Sequence, residues 1–273
     1  MIMLSMSAEQ KIPYAARFVV MVPTYNSAVT ISETLTALQK CSEFSKLSQV
    51  IVVDDFSSDG TCEEAERAWT GTVPLMIWRN AKNLGQFSSK NQALAKINEI
   101  ADWTFILHAD DVVKPNWLQL YFNAIENSDL SVVSICSSYD NWWPESGLIS
   151  PGEESPERCN ELILGTKEAV DSTIERGCWW HISGCAIRNV HFKEIGDFKS
   201  TMPQSSDWEW SIRCLSKGYG IIYVPRTTML YRQHDKSVSS SSFNRGQDLF
   251  EKLSLYQQLY NQTAPVPGRS GMP

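Results

Sequence analysis

Two adjacent carboxylates, Asp110 and Asp111, follow a short apolar run and precede the sequence Val-Val-Lys-Pro. Two negative charges held side by side repel each other unless a cation lies beside them. A hard divalent ion with oxygen ligands would relieve that repulsion and could also hold a diphosphate. Two solvated turn aspartates are the alternative interpretation, and the position of the pair in the fold has to separate the two.

A second acidic pair, Asp54 and Asp55, ends another apolar run and is followed by Phe-Ser-Ser-Asp-Gly-Thr. A carboxylate at this point can accept a hydrogen bond from the N–H of a nucleotide base, and the turn after it can start a helix. Simple turn formation is the alternative. The segment 22–27 has no Gly-x-Gly-x-x-Gly motif, which argues against a dinucleotide-dependent dehydrogenase.

The elements that would position these residues are short apolar runs that alternate with helical patterns. Strands are predicted at 18–22, 50–53, 75–78 and 104–107, with helices beginning near residues 31, 61 and 88. Thr30 and Glu33 have the spacing of a capping box. The alternation predicts an open α/β sheet, in which ligands bind beyond the carboxyl ends of the strands. Both acidic pairs fall at that edge.

The second half of the chain has a different pattern. Residues 141–161 are rich in Pro, Gly, Glu and Trp, which predicts a loop. Regular structure is then predicted as a strand at 182–187, a helix at 188–195, a helix from 206 or 207 to 217, extended chain at 220–231 with a turn at Pro225, and a last helix at 247–260. The serine-rich stretch 237–242 is predicted to be mobile.

The composition argues against several function classes. A net charge of −7 disfavours nucleic acid as the main ligand, because phosphate backbones attract basic surfaces. No apolar run approaches the roughly 20 residues that span a bilayer. Seven scattered cysteines without Cys-x-x-Cys spacing favour free thiols in a reducing cytoplasm over disulfides or a zinc cluster.

Taken in order, the motifs resemble those of the inverting family-two glycosyltransferases of GT-A fold. The pieces that carry the resemblance lie at 22–26, 53–61, 83–85 with 90–91, 109–111, 196–198, 206–210, 218–219 and 231–237. Each piece alone is weak, but their shared order along residues 17–240 is specific. The resemblance implies an α/β fold with a Rossmann-like, mostly parallel sheet flanked by helices and a smaller C-terminal acceptor-binding part.

The same resemblance divides the chain into four segments. They are an N-terminal arm (1–16), a nucleotide-sugar-binding half (17–136), an acceptor-binding and catalytic-base half (137–243), and a C-terminal helix and tail (244–273). On the donor side, the residues implied are Pro23, Thr24 and Tyr25 against the base, Asp55 on its N–H edge with Asp54 nearby, Gly85 and Lys90 along the nucleotide, and Asp110 near the ribose.

For catalysis, the resemblance implies a divalent cation, Mn²⁺ or Mg²⁺, and a carboxylate base. The residues implied are Asp111 as main metal ligand, Asp110 beside it, His234 approaching from the C-terminal loop, Arg232 near the leaving diphosphate, and Asp207 as the base with Glu209 as its fallback. For Asp207, an ordinary helix N-cap is the alternative interpretation.

Three residues depart from the family pattern. His108 stands where many members carry the first aspartate of the metal motif, so metal affinity or choice is expected to differ. Lys90 replaces the usual arginine, which keeps the charge and loses the bidentate fork. Ser206 replaces an acidic neighbour of the base. The two remaining histidines of the chain, His181 and His191, are interpreted as structural.

Two pairs of tryptophans, Trp142 with Trp143 and Trp179 with Trp180, lie in the second half. Aromatic faces stack on sugars, so an acceptor platform is one interpretation, and core packing is the other.

The sequence thus predicts an inverting glycosyltransferase that moves a sugar, preferably from a UDP-sugar, to a hydroxyl of a carbohydrate or lipid-linked acceptor. Surface polysaccharide or glycolipid synthesis in the cytoplasm, peripheral to the inner face of the membrane, is the expected setting, with no nucleic acid partner. A catalytically impaired GT-A binding module and a sugar nucleotidyltransferase are the alternatives.

Overall fold

The computed structural model describes residues 16–234 and 246–263. Within these residues ten strands form one mixed sheet with helices on both faces. Most of the expected N-terminal arm, the serine-rich stretch at 237–242 and the tail beyond residue 263 lie outside the described residues. None of the helices in the described part of the chain is long and apolar enough to cross a bilayer.

The N-terminal half forms a parallel sheet. Its strands are β1 (Phe18–Thr24), β2 (Gln49–Asp54), β3 (Leu75–Arg79) and β4 (Trp103–Ile106), connected through α1 (Ile31–Gln39), a 3₁₀ turn (Phe44–Lys46), α2 (Thr61–Ala68) and α3 (Gln86–Ile97). They lie in the order β3-β2-β1-β4. The inner strands β1 and β2 are almost wholly buried, while β3 at the sheet edge is half exposed.

The second half extends this sheet with mixed strand directions. Its elements are β5 (Val112–Val113), α4 (Trp117–Glu126), β6 (Val132–Trp143), β7 (Leu148–Ser150), β8 (Glu161–Ile163), α5 (Lys167–Arg176), β9 (Cys185–Arg188), α6 (Asn189–Ile195), α7 (Ser206–Ser216), β10 (Gly220–Arg232) and α8 (Gln247–Thr263). Strand β9 lies antiparallel between β4 and β6 and joins the two halves. Because β6 also runs through the expected boundary at 136/137, both halves share one sheet.

Two sequence-based predictions are wrong in this half. The stretch 141–161 is not all loop, because β6 continues to Trp143 and pairs with β7, Trp142 lying opposite Ile149. Pro225 lies inside β10 and not at a turn. It sits at an irregularity of the β6–β10 pairing between Val224 and Thr227, where its missing N–H breaks no ladder hydrogen bond.

Two apolar clusters hold the helices against the sheet. One packs β1, β2 and β4 side chains such as Val20 and Phe105 against α1 and α4. The other packs the opposite face, with Met21 and Ile106, against α3, α6 and α7. With both faces covered, the sheet presents its carboxyl edge as a rigid platform for the acidic residues.

Candidate active site

Asp54 and Asp55, at the tip of β2, are both buried and both hydrogen-bonded by the chain itself. Asp54 accepts from the Ser57 N–H at 3.2 Å and lies 3.3 Å from Arg79 Nε. Asp55 accepts from the backbone N–H groups of Leu84 and Gly85, both at 2.8 Å, and from Asn80 Nδ2 at 2.8 Å. The Asp55 carboxylate therefore organises the 80–85 loop. Binding of a nucleotide base by Asp55 stays a prediction, and it requires that Asp55 share one of these hydrogen bonds with the base.

The tips of β1 and β2 also present two exposed aromatic rings. Tyr25 is 52% exposed and Phe56 is 49% exposed. Phe56 adopts φ of +70°, and the Arg79 guanidinium lies 5.6 Å from its ring centroid. Thr24 is buried, and its hydroxyl has no hydrogen-bond partner in the described part of the chain. Sequence reasoning found Tyr25 and missed Phe56, whose left-handed backbone a bulky residue seldom adopts without a cause.

The tip of β4 brings His108, Asp110 and Asp111 together. One ring nitrogen of His108 and one oxygen of each carboxylate all lie within 4.8 Å of one another. Asp111 is 0% exposed, and burial together with the charge of Asp110 raises its pKa well above the ordinary value. Asp110 is partly exposed, and its Oδ2 lies 3.1 Å from Nε2 of His234. Three residues that the sequence assigned to the metal, Asp110, Asp111 and His234, are thus neighbours.

Asp111 is held by a residue that sequence reasoning missed. The Ser183 hydroxyl donates to Asp111 Oδ2 at 2.5 Å, and the same hydroxyl accepts from the His108 N–H at 3.0 Å. The backbone N–H of Arg232 donates to Asp111 Oδ1 at 3.0 Å. Ser183 lies 72 residues from Asp111 and matches no recognisable motif, so only the β4–β9 pairing brings the two side chains together.

Arg232 does not reach outward to a diphosphate. Its Nε donates to the backbone oxygen of Asp110 at 2.6 Å, its Nη2 pairs with Glu33, and the guanidinium lies 4.3 Å from the Trp142 ring centroid. Glu33 therefore serves Arg232 and not the expected capping box, and Thr30 makes no side-chain cap. Arg232 fixes the end of β10 on the metal motif, two residues before His234.

Lys90 is a buried lysine within electrostatic range of the acidic groups of the site. The side chain is 1% exposed, and burial lowers its pKa to about 7 although Asp207 and Asp110 favour the charged form. The negative charges of Asp207, on α7, and of the adjacent Asp110 and Asp111 all act on its ammonium group. Carboxylates from the segment after β4 and from α7 therefore lie within electrostatic range of one buried lysine. The same positive charge, with burial as the larger cause, lowers the pKa of His108 well below its usual value.

Asp207 lies at the second residue of α7 and is not its N-cap, which is Ser205. Burial raises the pKa of Asp207, and His181 and Lys90 oppose that shift. The fallback base, Glu209, is engaged elsewhere by Arg213 at 2.7 Å and by Lys199 at 3.0 Å. The Ser206 hydroxyl is buried and has no hydrogen-bond partner within residues 16–234 and 246–263.

Burial lowers the pKa of His181, a residue expected to be structural, and the charge of Asp207 opposes that shift. The Nδ1 of His181 lies 3.0 Å from the backbone oxygen of Ser183. Because a carbonyl can only accept, Nδ1 of the neutral ring carries the hydrogen and Nε2 keeps its lone pair. Tyr139 and Tyr231 pack on the ring with centroids 4.9 and 4.8 Å away. His191, by contrast, contacts the backbone oxygen of Leu130.

The tryptophan pairs divide between core and surface. Trp180 is fully buried and donates to Ser134, and Trp179 is half buried and donates to Thr173. Trp142 stacks on Arg232, whereas Trp143 is 37% exposed. Of the four rings, Trp143 offers the most open face for a sugar.

Comparison with known proteins places this geometry in a family. Residues 19–179 match the model of Glycosyl transferase family 2. Glycosyltransferase AglE of Haloferax volcanii is 21% identical over 207 residues, which cover 75% of this chain and 63% of AglE. This chain thus spans less than two thirds of the length of that relative.

Solved structures share the fold at low sequence identity. A complex of Staphylococcus aureus TarS 1-349 with UDP-GlcNAc superposes with a TM-score of 0.68 at 18% identity, covering 91% of this chain and 68% of that one. The mannosyltransferase PcManGT of Pyrobaculum calidifontis, in complex with GDP-Man and Mn²⁺, gives 0.63 at 19% identity, covering 93% and 67%. These likenesses establish the GT-A architecture. With the family model matching more than half of its length, the chain belongs to glycosyl transferase family 2.

Proposed function

We propose that this chain is an inverting glycosyltransferase that moves a sugar from a nucleoside-diphosphate sugar to an acceptor hydroxyl. The observation that carries the proposal is the cluster of Asp110, Asp111 and His234 at the tip of β4, with the buried Lys90 in electrostatic range of this cluster and of Asp207. We propose that this cluster combines a diphosphate-binding group with a proton acceptor, Asp207, from a distant part of the sequence. UDP is the favoured nucleotide, as in the TarS complex, and GDP is the other nucleotide seen in these neighbours.

Asp207 supplies the base chemistry in this proposal. Its burial raises its pKa, which makes the ionised carboxylate a stronger proton acceptor than an exposed aspartate. The carboxylate takes the proton of the acceptor hydroxyl while the oxygen attacks the anomeric carbon, and the C–O bond to the diphosphate breaks on the opposite face. One displacement of this kind inverts the configuration of the sugar.

The residues present fit a divalent cation. Asp110 and Asp111 lie close together and offer carboxylate oxygens, which suit Mn²⁺ or Mg²⁺. A ring nitrogen of His108 lies within 4.8 Å of both, and the Nε2 of this ring is shielded from solvent without a hydrogen-bond partner among the described residues. Asp110 and Asp111 would hold the ion, with His234 at its exposed side. The ion would supply Lewis-acid stabilisation of the departing diphosphate. Ser183 and the Arg232 N–H would keep Asp111 oriented.

The acceptor belongs to the second half of the chain in this proposal. Tyr139, His181 and Tyr231 pack together, within electrostatic range of Asp207, and Trp143 is exposed farther along β6. Aromatic faces suit a carbohydrate or lipid-linked sugar. Assembly of a surface polysaccharide or glycolipid, peripheral to the inner face of a membrane, is the setting that we propose.

A panel of UDP- and GDP-sugars with MnCl₂ or MgCl₂ tests the function. We expect release of nucleoside diphosphate with one donor and, once an acceptor is found, a product whose anomeric configuration by NMR is opposite to that of the donor. Retained configuration would contradict the single displacement. Donor binding without any turnover would favour an impaired binding module, and pyrophosphate release from a nucleoside triphosphate and a sugar phosphate would favour a nucleotidyltransferase.

A further inference from the structure

The Nε2 of His108 is a buried polar atom that the described part of the chain leaves without a partner. Leaving a buried donor or acceptor unpaired costs about 1–3 kcal/mol. The backbone at this position is fully engaged, since the His108 N–H donates to Ser183. The cost therefore lies in the side chain alone, and a partner from outside the chain would remove it.

The neighbours of His108 show which kind of partner fits. A ring nitrogen of His108 lies within 4.8 Å of an oxygen of Asp110 and an oxygen of Asp111. The positive charge of Lys90 faces the same group of side chains. A cation held between the imidazole and the two carboxylates would balance the negative charge of the aspartates and give the imidazole a partner at once.

We propose that His108 supplies a nitrogen ligand to the divalent ion, and that this site therefore selects Mn²⁺ and Co²⁺ over Mg²⁺. The inference rests on the proposed function only in assuming that the acidic cluster binds a cation. Imidazole suits first-row transition ions, whereas Mg²⁺ prefers carboxylate, carbonyl and water oxygens in a near-ideal octahedron. An aspartate at position 108 would give an all-oxygen site, so the histidine changes the ligand class and also removes one negative charge.

Pulsed EPR of Mn²⁺ bound in the presence of UDP measures the number of directly coordinated nitrogens without any turnover. The proteins compared are the unmodified chain, His108→Asn, His234→Asn and His191→Asn. Asparagine adds no charge at position 108, whereas aspartate would add a third carboxylate to the site. His191 is the matched control, because its Nδ1 is also buried without a described partner while its Nε2 contacts Leu130 away from the site. Thermal melts of the metal-free proteins show that each variant is folded.

We expect His108→Asn to remove one coupled nitrogen and His191→Asn to remove none. In competition titrations with MgCl₂ and CoCl₂, the preference for Mn²⁺ and Co²⁺ over Mg²⁺ should fall at least about tenfold in His108→Asn, the scale on which single changes around a metal site act. His108→Asp, if folded, should shift the preference toward Mg²⁺ further still.

An unchanged nitrogen count in His108→Asn would overturn the proposal, as would a folded chain that binds no Mn²⁺ with or without UDP. Turnover of a UDP-sugar in the same samples is read separately. Turnover that persists with an unchanged nitrogen count would leave the proposed function in place and remove only the role of His108.

Discussion

The carboxylates at the tips of β2 and β4 are the same residue type at equivalent ends of two strands of the parallel sheet, yet their surroundings differ. Asp55 accepts three hydrogen bonds, all from N–H groups of the neighbouring 80–85 loop. Asp111 is as deeply buried but accepts one bond from a hydroxyl and one from a backbone N–H, next to the charge of Asp110. One site is completed by the chain, and the other leaves charge for a ligand to balance.

This difference shows how a fold keeps a reactive site and a rigid scaffold on one edge. A carboxylate surrounded by N–H donors is stabilised in its charged form and fixes the loop that donates to it. A carboxylate whose burial outweighs its hydrogen bonds destabilises the empty protein, and a bound cation recovers that energy. We therefore expect mutation of Asp55 to lower the stability of the protein and mutation of Asp111 to weaken cation binding.

The largest effect should come from the base. Asp207→Asn removes the proton acceptor, so we expect kcat to fall by about 10²- to 10⁴-fold while donor affinity is kept. Steady-state rates with a saturating donor, together with donor binding by calorimetry, measure the two separately. Glu209→Gln is the matched control, because its ion pairs with Arg213 and Lys199 predict a loss of stability and no comparable loss of kcat. Near-normal turnover in Asp207→Asn would show that another group is the base.

The next effect separates the two tips by the same substitution. Asp55→Asn places an amide against N–H donors that cannot accept, so we expect the free energy of unfolding to fall by about 1–3 kcal/mol. Asp111→Asn should cost little at neutral pH, because its amide can donate to the Ser183 hydroxyl while its oxygen still accepts from Arg232. Urea denaturation of both variants tests this. Equal losses of unfolding free energy would mean that Asp55 and Asp111 both serve mainly to stabilise the fold.

A pH series sharpens the contrast further. The folded-state pKa values of Asp111 and Asp207 are raised, so these groups stabilise the protein below the ordinary carboxyl pKa of about 4, and that contribution is lost as the pH rises through the raised values. We therefore expect Asp207→Asn to gain stability relative to the unmodified chain between acidic and neutral pH. Urea melts at several pH values measure this, and a difference that stays constant with pH would contradict it.

The smallest effect is expected at Glu33, the surface partner of Arg232. The Glu33 side chain is 52% exposed, so Glu33→Gln should lower the free energy of unfolding by less than about 1 kcal/mol. Arg232→Met, which also removes the bond to the Asp110 backbone, should cost more and should weaken Mn²⁺ binding. Chemical denaturation and metal titration of both variants test this order. A larger loss of unfolding free energy in Glu33→Gln than in Arg232→Met would mean that Glu33 of α1, and not the Asp110 backbone, is the main partner that holds Arg232.

The sequence predicted the β2 and β4 tips because local patterns define them. Apolar runs predicted the strands, and the family match and the shared architecture confirm the fold. That the aspartates after these strands mark the ligand-binding edge stays a prediction. The partners of these aspartates were not predictable. Two of the three bonds to Asp55 come from backbone N–H groups, which any residue type supplies, and Ser183 reaches Asp111 only through the pairing of distant strands.

Side-chain roles in the second half were the least predictable. His181 carries no motif, and the elements that bring it within electrostatic range of Asp207 are far from each other in sequence. The β6–β7 hairpin was missed because Pro144 and Gly147 are typical of loops, although the residues on either side of them pair. Periodicity identifies elements, but contacts between segments far apart in sequence require the three-dimensional structure.

Strand β10 carries extra residues relative to β6, at irregularities between Val224 and Thr227 and between Thr227 and Leu230. Its last residue, Arg232, is anchored on the metal motif, and His234 follows. Each residue of a strand spans about 3.3 Å, so deleting one residue at an irregularity would draw His234 away from Asp110 by about that length. The bulges thus act as a spacer, and small insertions or deletions there are a route by which related chains could retune their active sites without altering a single site residue.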